Sequence, residues 1–70
     1  MYTHKAIIEK EIVAGHLSGL NVKTEVRCCS VENAQGYIAN VRGRANKKGV
    51  IKSFAGESFK IVRAYTERIN

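Results

Sequence analysis

Between Ser30 and Gly49 the apolar residues Val31, Ala34, Ile38, Val41 and Ala45 recur in steps of three and four. That spacing places them in one stripe along a helix. Glu32, Asn33, Gln35, Asn40, Arg42 and Arg44 occupy the opposite side, so the helix has one face to bury and one to show. Ser30 is a suitable N-cap, because its hydroxyl can accept from an unpaired N–H of the first turn. Glu32 then lies at the positive end of the helix dipole. Gly36 costs about 1 kcal/mol relative to alanine inside a helix, and its bare backbone suggests a close approach to a sheet. Gly43, Asn46 and Gly49 are candidates for the helix stop and the turn beyond it.

The rest of the chain alternates with period two. From Leu20 to Cys29, the residues Leu20, Val22, Thr24, Val26 and Cys28 alternate with Asn21, Lys23, Glu25, Arg27 and Cys29. One face is apolar and one charged, as in an antiparallel sheet covered on one side. Lys5 to Val13 is more ambiguous, since Ile8 and Ile12 also suit a helix. Its short length and its Ile and Val content favour a strand, with Ala6, Ile8 and Ile12 on one side and Lys10 interrupting them. Gly15 to Gly19 forms the turn of a hairpin between these two segments. Val50 to Phe54 reads as a short strand, 55–58 as a turn, and Phe59 to Ile69 as the last strand. There Phe59, Ile61, Tyr65 and Ile69 share one face, broken by Arg63 and Glu67, and Val62 and Ala64 lie on the other. Both faces then carry apolar groups, which a bulge or a partner on the second face would explain. The expected architecture is one α+β domain over residues 1–70. It is a four-stranded, mainly antiparallel sheet with one helix packed on one face, in the order ββαββ.

A 70-residue chain buries only about 60% of its unfolded surface, so its stability margin is thin. Self-association, as a homodimer through an exposed strand edge, or docking on a larger partner would add to it. The apolar fraction of 44% is that of a folded protein, not a disordered one. No apolar run approaches the roughly 20 residues of a membrane span. Nor is there a signal-peptide pattern. The adjacent Cys28 and Cys29 cannot readily bond each other. On a strand one should be buried and one exposed. A cytoplasmic, reducing setting fits them.

Charge adds the functional signal. The net charge is +6, and residues 33–56 hold Arg42, Arg44, Lys47, Lys48 and Lys52 with no acid. Cations at a helix C-terminus complement the dipole, but that accounts for two of them, not five. The cluster is therefore the candidate binding surface, suited to phosphates of DNA or RNA or to an acidic protein patch, with two arginines able to make bidentate contacts. Tyr37, Arg63 and Tyr65 are candidate accessory contacts, whereas Phe54 and Phe59 suit the core. Cys29 before a helix, with His4 or His16 as a base, is a thin catalytic constellation in a chain too short for a deep pocket. The two cysteines and two histidines lack zinc spacing. No cofactor motif is present. The expectation is a non-enzymatic binding protein without metal or cofactor.

The stretch from Thr24 to Ala34, TEVRCCSVENA, runs an alternating strand into a serine cap and a helix, and the Ile-rich KAIIEKEI precedes it. This layout, over about half the chain, resembles that of small phage-encoded proteins, including type I-F anti-CRISPR proteins. The resemblance implies an inhibitor that sits on a host defence protein or nucleoprotein complex and obstructs its target-DNA path. It transfers no functional residues. The alternatives are a direct nucleic-acid-binding module using the basic loop, and a homo-oligomeric scaffold or small-ligand binder.

Overall fold

The computed structural model describes residues 1–53 and 56–69. Its elements are β1 (His4–Ala14), β2 (Asn21–Cys28), α1 (Val31–Gly43), β3 (Val50–Lys52) and β4 (Ser58–Arg68). The sheet order is β2-β1-β4-β3, with every neighbouring pair antiparallel. The fold is the expected α+β arrangement, ββαββ. The two longest strands lie in the centre, and at about 3.4 Å per residue their 11 residues set the 36 Å long dimension of the molecule. Phe54, the expected end of the third strand, and Ala55 of the turn lie outside the described residues.

Helix α1 forms where the three-four stripe predicts it. Ser30 caps it in extended conformation, its Oγ accepting from the Asn33 N–H at 3.1 Å. Ala34 and Val41 are buried and Val31, Ile38 and Ala45 half-buried. The stripe lies on one face of the sheet in two clusters. Val41 packs with Ile8, Ile12, Ile51 and Phe59, and Ala34 packs with Ala6 and Cys28. Ile38 contributes to both and joins them. Cys28 is buried and Cys29 exposed, as strand alternation requires.

Gly36 is not a point of close approach. It lies on the exposed side of α1, and a Cβ there would meet nothing within 4 Å. It costs helix stability with no packing return, so Gly36→Ala should stabilise the protein by about 0.5–1 kcal/mol. A thermal melt followed by circular dichroism should show Tm raised by several degrees; an unchanged or lower Tm would contradict this. Gly15 is different. Its φ is +111°, and a Cβ would come within 2.9 Å of the Glu57 side chain, so it lets the β1–β2 turn pack on the segment before β4.

The last strand departs from simple alternation. Glu9 pairs with Arg63 and Lys10 with Ile61, which leaves Val62 as an extra, bulged residue. Phe59 and Ile61 face the helix before the bulge and Ala64 faces it after, packed against the same cluster. Tyr65 pairs with Ile7 on the opposite face. The sequence reading that put Tyr65 with Phe59 and Ile61, and Ala64 with Val62, is thus corrected: one inserted residue inverts the alternation of everything after it.

The face away from the helix is a polar lattice. Ile7, 0% exposed, sits between Glu25 of β2 and Tyr65 of β4. The Lys5 ammonium donates to Glu25 at 3.2 Å and lies 3.5 Å from Glu67, and Lys23 lies 3.7 Å from Glu25. The Arg63 guanidinium stacks 4.4 Å from the Tyr65 ring centroid. The hydrogen bond from Lys5, then its charge, holds the Glu25 carboxyl below its ordinary value, and the same bond raises Lys5. A carboxyl lowered in the folded state adds stability that is present above its unfolded pKa and lost as pH falls through the folded one. Glu25→Gln should therefore flatten the fall of Tm with pH in the acid range below about pH 5. An acid limb as steep as that of the wild type would refute it.

Candidate functional site

The basic residues are presented by the end of α1, the turn after it and β3. The helix closes with Arg44 N–H to Val41 C=O and Ala45 N–H to Arg42 C=O bonds, both 3.1 Å, which tighten the last turn. Asn46 then organises the turn. Its side-chain oxygen accepts from the N–H groups of Lys48 (2.8 Å) and Val50 (3.0 Å), and its own N–H donates to the Val50 carbonyl at 3.0 Å. With the backbone so occupied, Lys47 and Lys48 project into solvent at the tip. Arg42, Arg44 and Lys52 are exposed as well. Among the described residues none of the five is in an ion pair, whereas Lys5 and Lys23 are both paired on the far face.

The five form a band rather than a flat patch. Arg42 and Arg44 are two residues apart, about 200° around a helix, and they point to opposite flanks of α1. Arg42 borders a hollow with Ala45, Gly49, Ile51 and Ile61. Arg44 and Lys52 instead border a groove of about 150 Å³ on the other flank. Its floor is apolar, made by Ile8, Val41, Ile51 and Phe59, and Tyr37, Arg44, Lys52 and Lys10 stand around it. No acid is among its described lining residues.

The groove exists because one helix cannot cover this sheet. A helix is about 10 Å across, and four strands at about 4.8 Å spacing are wider. Beside the helix the sheet carries Lys10, whose ammonium lies 4.3 Å from the Phe59 ring centroid. The ammonium caps the ring as a cation–π contact and helps to keep Phe59 from water. Sequence reading noted Lys10 only as an interruption of an apolar face. The signal was present, since a lone cation at a core-facing position marks where the cover ends.

Of the accessory candidates, Tyr37 joins this groove at 37% exposure. Arg63 and Tyr65 stack on each other on the far face of the sheet. The catalytic constellation is not assembled with His16, which lies in the β1–β2 turn, the length of β1 away from Cys29. A larger depression of about 450 Å³ beside Val62 carries Glu9 with Lys10 and Lys23, so an acid lies among its cations. The sheet edges are blunted: β3 has three residues, and β2 carries Lys23, Glu25 and Arg27. Among the described residues no helix is long and apolar enough to cross a membrane, and no group of three metal-ligating side chains occurs. No known protein family, curated protein or solved structure matches this chain.

Proposed function

We propose that the chain is a small non-enzymatic binding protein whose working surface is the basic band from Arg42 to Lys52. It docks that band on a polyanionic face of a host protein or nucleoprotein complex and obstructs nucleic-acid access, acting by contact rather than chemistry. The observation that carries this reading is the clustering of cations at the end of α1. On the far face Lys5 and Lys23 are held in ion pairs with Glu25 and Glu67. At the end of α1 five are exposed without an acidic partner among the described residues. Like charges held together repel one another, and a polyanion relieves that repulsion. The resemblance of the sequence layout to small phage-encoded proteins is what motivates a host target. The groove favours a second reading, direct binding of nucleic acid, because it places an exposed tyrosine among cations.

Capture from a bacterial lysate on the tagged chain, with and without nuclease, tests both. A protein held in stoichiometric amount after nuclease, and released when Arg44, Lys47 and Lys48 are changed to alanine, supports the first. Nucleic acid alone, lost on nuclease treatment, selects the second. Equal capture by the wild type and the triple variant rejects the basic band as the site.

A further inference from the structure

We infer that the groove beside α1 binds a single-stranded nucleic acid, a backbone phosphate seated among Lys10, Arg44 and Lys52 and the adjoining base on the rim against Tyr37. The inference rests on the basic band being the working surface and says what part of a partner enters it. Three observations converge on it.

The first is size. A volume of about 150 Å³ falls below the roughly 300–1,000 Å³ of sites that enclose a whole small molecule. It takes one group of a longer ligand, here the phosphate, with the base outside it on the rim. The second is charge. Three cations and no acid among the described lining residues select an anion, and the Arg44 guanidinium can hold two phosphate oxygens at once. The third is the exposed tyrosine on the rim. A bare anion gains nothing from the Tyr37 ring. A nucleotide brings a flat, largely apolar ring along with its phosphate. The base must be unpaired, because stacked and paired bases in a duplex do not offer their faces to a side chain. Lys47 and Lys48, on the adjoining turn, lie where neighbouring phosphates of the same strand would pass.

The test uses the purified chain and fluorescence anisotropy with a labelled single-stranded oligonucleotide, the same sequence as a duplex, and inorganic polyphosphate as competitor. The strand should bind at least about fivefold more tightly than the duplex, the lower end expected for one stacked base. Tyr37→Ala should weaken strand binding by about fivefold or more and leave competition by polyphosphate unchanged. Lys10→Met, which keeps an unbranched side chain of similar length beside Phe59, should lower the slope of log affinity against log salt by about 0.7. Circular dichroism melts establish that both variants are folded. Duplex binding as tight as strand binding, or wild-type strand affinity in both variants, overturns the nucleotide seat. If the Arg44, Lys47 and Lys48 triple variant still loses binding in that case, the basic band stands without the seat. If the wild type binds none of the three probes yet captures a protein from lysate through the band, the seat is likewise rejected and the docking role kept. If that capture also fails, both fall.

Discussion

Phe59→Ala should remove about half of the protein's stability to unfolding. Phe59 is 7% exposed and belongs to the cluster that holds α1 on the sheet. It pairs with Ile12 of β1 and Ile51 of β3, so its ring joins three strands beneath the helix. Removing a buried phenylalanine costs about 3–5 kcal/mol, through lost transfer energy and the cavity left behind. At roughly 0.05–0.15 kcal/mol per residue, a chain of this length holds on the order of 4–10 kcal/mol in total. The loss takes about half of that margin, and Lys10 also loses the ring beneath it. Ile51→Val, in the same cluster, removes one methylene and should cost only about 0.5–1.5 kcal/mol. Urea unfolding followed by circular dichroism separates the two. A wild-type midpoint for Phe59→Ala would mean that the helix is held by something other than this cluster.

Changing Arg44, Lys47 and Lys48 together to alanine should abolish most polyanion binding without unfolding the chain. All three are exposed. Among the described residues they make no ion pair, so the folded state loses little. Each phosphate contact contributes about 0.7–0.9 to the slope of log affinity against log salt, so the slope should fall by about two to three. At physiological salt that corresponds to a loss on the order of a hundredfold. A salt titration of oligonucleotide binding, with the Tm of each protein measured alongside, reads both effects. Unchanged affinity with unchanged Tm would place the working surface elsewhere on the molecule. A Tm lowered along with affinity would show instead that the turn at Asn46 depends on these side chains.

Much of the fold can be read from spacing because each helix and strand repeat is local. The stripe from Val31 to Ala45 and the alternation from Val22 to Cys28 require no knowledge of the partner surface. Ser30 as cap and the split between Cys28 and Cys29 follow from the same periodicities. The last strand resisted this reading because its bulge at Val62 answers a register shift on β1, fifty residues earlier in the chain. Tyr65 and Ala64 therefore exchanged faces relative to simple alternation. The role of Asn46 was hidden for a related reason. As a residue type it marks a turn, but its grip on the N–H groups of Lys48 and Val50 depends on how the chain comes back from the helix to β3.

The charge segregation was legible as well, since it is a matter of counting along the chain. Its arrangement in space was not. Arg42 and Arg44 are close in sequence, and helix geometry sends them to opposite flanks. Lys10 is more than thirty residues from Arg44 in sequence, and the two border one groove. By itself the sequence determined the order of elements, the buried stripe of the helix and the segment that holds the excess positive charge, because these depend only on neighbours a few positions apart. Only the tertiary structure decided which cations stand together, which groove they surround and which side of the last strand is buried. Those outcomes depend on the pairing of distant strands and on a sheet wider than the one helix that covers it.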